Sequence, residues 1–188
     1  LFPYTTLFRS ASIAAIPNLF AIETLSSTKS ATMLHKALAA QSPPRSTPLN
    51  VFLQINTSGE DAKSGLPLLS PTSAEPATSE LAALALHILT DCPTLRLHGL
   101  MTIGSYSSST SADPNPDFAA LDESRRALLA VLGAAKTSEA LRKKVEQIER
   151  DGLEMSCGMS EDYVQAIKQG SSSVRVGSKI FGARPPRA

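Results

Sequence analysis

Apolar residues fall into short compact runs that alternate with stretches of helical period. Leu19, Phe20, Ala21 and Ile22 form such a run within residues 16–25 and, after the Pro17-Asn18 turn, read as a buried strand. Over residues 26–40, Ala31, Leu34 and Leu38 share one face of a helix that Ser27 or Thr28 can cap. A Ser/Pro linker, 41–48, leads into LNVFLQIN at 49–56, so continuously apolar that it suits a strand covered on both faces. That strand exits through Thr57-Ser58-Gly59-Glu60, and Lys63-Ser64-Gly65 extends the loop. Residues 68–78 are Pro/Ser-rich and read as an exposed insertion. Residues 79–89 return to helical period, with Leu81, Leu84, Ala85 and Ile88 on one side.

The second half repeats the alternation. Residues 95–104 (LRLHGLMTIG) read as a third strand, and 106–115, rich in Ser, Thr, Asp and Pro, as a mobile loop. Residues 117–132 make an amphipathic helix, with Phe118, Leu121, Leu128 and Leu132 opposite Asp122, Glu123 and Arg126. In 138–150, Leu141, Val145 and Ile148 turn inward, and Lys143, Lys144, Glu146 and Glu149 form a solvated face. A fourth strand at 153–157 precedes a helix at 161–169, with Tyr163, Ala166 and Ile167 inward and Gly170 as its left-handed terminator. Residues 173–181 read as the fifth strand. Strands alternating with helices predict a parallel α/β sheet, either open and doubly wound or the later part of an eight-stranded barrel. The pattern fits both. In either, binding groups gather at the carboxyl ends of strands, here Asn56, residues 101–104, residues 156–160 and Gly177-Ser178.

Composition narrows the class. With 42% hydrophobic and 19% charged residues among 188, the chain can build a real core. A formal charge of +1 gives no reason to expect a nucleic-acid partner, and no apolar run reaches the length of a membrane span. Cys92 and Cys157 are too few and too far apart for a disulfide framework or a zinc site, and His35, His87 and His98 show no ligand spacing. A reducing compartment is the default.

Two segments carry candidate chemistry. Ser156-Cys157-Gly158-Met159-Ser160 joins a strand to a helix, and Ser160 at the N-cap could help hold an anion on backbone N–H groups. The same serine also fits a plain helix cap, with Glu161 and Asp162 answering the dipole. In Val174-Arg175-Val176-Gly177-Ser178, strand alternation puts Arg175 and Gly177 on one face. A strand arginine needs an acceptor, and Gly177 leaves room for a ligand, although carbonyls of a nearby loop would also satisfy the arginine. Neither glycine-rich nucleotide fingerprint occurs, which argues against a nucleoside triphosphate or dinucleotide.

The run SCGMSEDYVQAIKQGSSSVRVGSKIFGAR resembles the C-terminal signature of the pyridoxal phosphate homeostasis family, also called the proline synthase co-transcribed homologues. IPNLFAIETL, VFLQINTSGEDAKSGLP and LHGLMTIG match that family's internal strands in the same order, so the resemblance covers about residues 13–184. It implies a (β/α)8 barrel similar to the N-terminal domain of alanine racemases, represented here by its later strands. It also implies pyridoxal 5′-phosphate as cofactor, a role in keeping that aldehyde available but sequestered, and no catalysis of its own. Ser160 matches the serine on the cofactor phosphate, Gly177 and Ser178 complete the phosphate cup, and Arg175 matches the arginine facing the pyridine nitrogen. Gly158 and Met159, leading into Ser160, join this cofactor-binding set. A cation at the ring nitrogen makes the ring a weaker electron sink, in keeping with a carrier.

The family's cofactor-binding lysine belongs on an early strand reading roughly V-S-K-x-K-P, which this sequence lacks; Lys29, Lys36 and Lys63 lie in other matched segments. LFPYTTLFRS, at the start, resembles nothing in the family. The expectation is therefore a foreign or disordered stretch at 1–12, a truncated barrel at 13–184 and a tail at 185–188. The implied setting is cytoplasmic, with a mitochondrial fraction allowed; the protein acceptors of the cofactor are not named by the sequence. The competing readings are a racemase-like enzyme, for which Tyr4, Tyr106 and Tyr163 are poorly placed, and an inactive fragment with exposed sheet edges.

Overall fold

The structure is a computed structural model and describes residues 5–60, 63–70, 72, 76–111 and 113–182. Its sheet has five parallel strands, β1 (Ala21–Leu25), β2 (Leu49–Gln54), β3 (Leu95–Met101), β4 (Glu154–Met159) and β5 (Ser173–Arg175), paired in the order in which the chain makes them. Register runs Ile22 to Val51, Leu53 to Leu100, Met101 to Ser156 and Met159 to Arg175. A doubly wound sheet reverses its strand order at a switch point. This one does not, so it is a run of consecutive barrel strands, curved as in a half-barrel.

Helices α1 (Thr5–Ala14), α2 (Thr28–Ala39), α3 (Glu80–Asp91), α4 (Tyr106–Ser111), α5 (Pro116–Ala134), α6 (Glu139–Asp151), α7 (Tyr163–Lys168) and α8 (Ser178–Phe181) fill the connections. Side chains cap the starts of α2, α3, α5 and α6. Ser27 accepts from the Ser30 N–H, Ser79 from Ala82, Asn115 from Asp117 and Ser138 from Leu141. Each such cap contributes about 1 kcal/mol.

Alternation gives the sheet two unlike faces. Leu49, Val51, Leu53 and Ile55, with Leu97, Leu100, Leu153, Met155 and Cys157, join one apolar cluster with Leu34, Leu38, Leu84, Ile88, Leu121, Leu128 and Val145 from the helices. The other face carries Glu23, Asn50, Phe52, His98, Glu154, Ser156 and Arg175 in place of a second apolar layer. Phe52 is 2% exposed yet lies outside the cluster, with its ring edge-on to His98 at 5.2 Å. Gly99 is where β3, β4 and Phe52 crowd: a Cβ there would sit 2.2 Å from the Glu154 carbonyl oxygen and 2.7 Å from Phe52 Cε1.

Several sequence expectations are corrected. The run 19–22 is not buried throughout: Leu19 is half-buried and Phe20 is 71% exposed, because β1 is an edge strand that starts only at Ala21. Residues 106–115 are not all loop. Tyr106–Ser111 forms α4, whose first turn is held by Ser105 Oγ accepting from the Ser108 N–H at 3.0 Å. Leu69, inside the expected insertion, is 1% exposed, and its N–H donates to Ser124 Oγ on α5. Ile167, expected inward, is 55% exposed, since only Ala166 of α7 reaches the core. The fifth strand stops at Arg175 rather than running to residue 181, and Ser178–Phe181 winds into α8. Gly170 ends α7 at φ +94°, as expected. Of the stretch 1–12, residues 1–4 lie outside the described residues, as do Tyr4 and the tail 185–188. Thr5–Ala14 packs as α1 against α2, with Ala14 in the core.

Candidate functional site

The corner after β4 is built by two short polar side chains with separate tasks. Asp162, 2% exposed, takes the turn itself: Oδ1 accepts from the Met159 N–H at 2.7 Å, and Oδ2 accepts from Ser109 Oγ of α4. Asp162 also occupies the N-cap position of α7, so the expectation that Ser160 caps this helix is corrected. Relieved of that role, Ser160 Oγ crosses to the corner after β5, where it accepts from the N–H of Gly177 at 3.1 Å and of Lys179 at 3.5 Å. Gly177 lies in this turn at φ −118°, ψ −73°, past the end of the strand, so the alternation that paired it with Arg175 on one face does not apply. Nothing stands within 4 Å of its would-be Cβ, and Ser178, exposed, follows as the first residue of α8. Gly158 is constrained for another reason: at φ +94°, a Cβ would meet the Ala166 Cβ at 2.5 Å, so a bare backbone there lets α7 close onto β4. Met159, half-buried, links the two turns.

Arg175 extends across the open face. Its Nη2 donates to the Thr102 carbonyl at 2.8 Å, and its Nη1 to Ser156 Oγ at 3.0 Å, with Glu23 Oε2 at 3.4 Å. Ser156 in turn donates to Glu23 Oε2 at 3.0 Å, and Ser173 to Glu23 Oε1 at 3.3 Å. Thr102 falls within the strand end 101–104 that the sequence marked as a candidate, whereas Glu23 carried no assignment. The signal for Glu23 was there: a lone carboxylate in an apolar strand needs a partner for the same reason a lone arginine does.

The loops after β2 and β3 close the same end. Lys63 Nζ donates to the Gly104 carbonyl at 2.8 Å and pairs with Glu60, and Thr102 Oγ1 lies 2.9 Å from Thr57 Oγ1. Beneath them Asp117, 4% exposed, accepts from the Ser105 N–H at 2.8 Å. Burial pushes the Asp117 carboxyl up, but the Ser105 N–H and the hydroxyls of Ser108, Thr57 and Ser105 outweigh it, and its pKa lies below the ordinary value. The Cys157 thiol is pushed up by burial, against the Ser171 hydrogen bond and the Arg175 charge.

The residues fit a phosphorylated pyridine. Two backbone N–H groups converge on one oxygen at the 160/177 corner, and a guanidinium fixed by acceptors on three other strands or their ends faces the open side. Among the described residues no lysine lies in a strand. A separate cavity of about 740 Å³, lined by Phe20, Arg45, Asn50, Arg96, His98 and Lys144 among others, opens at the amino ends of the strands, the wrong end for a barrel site.

Residues 4–185 match the family described as alanine racemase, N-terminal domain. Proteins named pyridoxal phosphate homeostasis protein are similar: that of Mus musculus is 42% identical over 172 residues, covering 92% of this chain and 53% of its own. That of Schizosaccharomyces pombe is 41% identical over 173 residues, covering 92% of this chain and 60% of its own. The chain thus spans about half the length of these relatives. A solved alanine racemase from Clostridium difficile 630, in complex with cycloserine, aligns over 97% of this chain and 41% of its own at a TM-score of 0.51 and 14% identity, a likeness of fold. By sequence match and by the sequential parallel half-barrel, this chain belongs to the alanine racemase N-terminal domain family.

Proposed function

We propose that this chain carries the phosphate and ring-nitrogen half of a pyridoxal 5′-phosphate site, and that the protein serves in pyridoxal phosphate homeostasis. The observation that carries this reading is the Ser160 bridge: its hydroxyl draws the Gly177 and Lys179 N–H groups of the neighbouring loop to one point at the carboxyl edge of the sheet. Ser160, Gly177 and Ser178 would hold the phosphate, with Gly158 and Met159 shaping the turn beneath, and Arg175 would face the ring nitrogen. The names of the relatives at 41–42% identity support the same cofactor and role. When bound, the cofactor supplies an aldehyde and an electron-withdrawing ring; the residues present here bind and orient it.

A carrier fits these residues better than a racemase, which needs a base on each face of its substrate. Tyr106 is 76% exposed on α4, and the Tyr163 ring is engaged by Lys179 Nζ at 5.3 Å from its centroid. We place residues 13–184 as the later part of the barrel, and the protein in the cytoplasm with a mitochondrial fraction allowed. The two free, buried thiols agree with a reducing compartment. Among the described residues no helix is long and apolar enough to cross a membrane.

The test is equilibrium dialysis of the chain against pyridoxal phosphate, followed by borohydride and mass analysis. Reversible binding with no lysine adduct is expected. Absence of binding, or a stoichiometric adduct on one lysine, contradicts the reading; alanine racemisation at enzymatic rate by a longer form would favour the enzyme.

A further inference from the structure

Glu23 and Arg175 belong to the two outermost strands. In a flat sheet, four strand spacings would hold β1 and β5 about 19 Å apart. The Glu23 Oε2 to Arg175 Nη1 distance of 3.4 Å therefore records the curvature that brings the two edges toward each other over the open face. The contact is built up on both sides. Ser156 from β4 and Ser173 from β5 donate one to each oxygen of the Glu23 carboxylate, at 3.0 and 3.3 Å. Arg175 takes its other acceptors from Thr102 and Ser156, both uncharged. Its acidic partner is Glu23.

We propose that Glu23 is the positioning residue for Arg175: it anchors the guanidinium over the open face and balances its charge, so that an Arg175 N–H meets a ring-nitrogen acceptor in a bound pyridine. This rests on the cofactor reading above. Without the carboxylate, the guanidinium keeps two neutral acceptors but no electrostatic anchor, and a long arginine side chain regains rotamer freedom that it must lose on binding. Glu23 touches no part of the phosphate cup, so its effect should fall on recognition of the ring nitrogen and spare the phosphate.

Two ligands separate these parts: pyridoxal 5′-phosphate, and its benzene analogue with CH in place of the ring nitrogen and the aldehyde and phosphate kept. Dissociation constants for both are measured on the chain and on Glu23→Gln, an isosteric variant. The chain is expected to prefer pyridoxal phosphate by about tenfold, the scale of a hydrogen bond to a charged donor. In Glu23→Gln the preference should fall below about threefold, with affinity for the benzene analogue little changed. An unchanged preference, or an equal loss for both ligands, overturns the role of Glu23 and leaves the cofactor reading standing. Binding of neither ligand by the unaltered chain overturns the cofactor reading and this inference with it. Should Glu23→Gln not fold, the unaltered, ligand-free chain decides by NMR. Slowed solvent exchange of the Arg175 guanidinium protons, relative to exposed Arg126 and Arg150, is expected, and exchange as fast as theirs overturns the proposal.

Discussion

Ser156 and Cys157 are chain neighbours on β4 with opposite fates. Cys157 turns to the helices, is fully buried and joins the apolar cluster. Ser156, just as buried, turns to the open face, where its hydroxyl sits between Glu23 and Arg175. The same contrast runs across the sheet. One face is a continuous layer of Leu, Val, Ile and Met, in which each side chain is replaceable by another of like volume and its removal is costly. The other holds a few polar groups from β1, β4 and β5 whose partners are specific. Apolar packing is concentrated on one side and paired polar groups on the other, because buried polar groups are tolerated only where they satisfy one another or a ligand.

The sharpest way to break this division is to cut each face equally. Leu53→Ala, on the helix side and fully buried, should cost about 2–5 kcal/mol in urea unfolding, whereas Ser173→Ala on the open side should cost less than about 1 kcal/mol. Equal losses would end the distinction. Next in size is Asp117→Asn, which leaves the buried Ser105 N–H facing an amide, at a cost of about 1–3 kcal/mol at pH 7. Because the folded carboxyl is depressed, Asp117 stabilises above the ordinary carboxylate range, and that contribution disappears as pH falls through its folded value. The variant should therefore show a flatter acid limb in a stability-against-pH series; parallel limbs would contradict this.

Ser160→Ala removes the oxygen on which the Gly177 and Lys179 N–H groups converge. It should weaken pyridoxal phosphate binding about tenfold with a stability change near 1 kcal/mol, whereas a global loss of stability with unchanged binding would mark it as purely structural. The smallest expected effect is a null: neither Cys92 nor Cys157, both buried with raised pKa, should react with an aromatic disulfide reagent faster than the chain unfolds. A fast native reaction at Cys157 would show that the helix layer is open.

The helix side was legible in the sequence because hydrophobic period reports burial against a neighbouring layer, and Ala31/Leu34/Leu38 and Leu141/Val145/Ile148 are buried as that period requires. Where tertiary hydrogen bonds decide the backbone, pattern was silent or misleading. Residues 106–111 have no apolar period, and their helix is held by Ser105 and, through Ser109, by Asp162 from another element. Residues 173–181 alternate like a strand, yet the turn at Gly177 and the short helix after it end pairing at Arg175. Within the site, Ser160 and Gly177 do meet, but through a cross-loop bond rather than the expected cap, and Glu23, legible only as a strand carboxylate in need of a partner, could not be matched to partners that lie more than a hundred residues along the chain.

The central claim is that ligand binds at the carboxyl edge of the open face. Backbone amide shifts of the isotopically labelled chain, followed as pyridoxal phosphate is added, test it most directly. The expected result is perturbation concentrated at Ser156, Met159, Ser160, Arg175, Gly177 and Ser178, with Leu53 and Leu100 on the helix face unmoved. Perturbation centred on Arg45, Arg96 and Lys144 at the amino-end cavity, or none anywhere, would contradict the account.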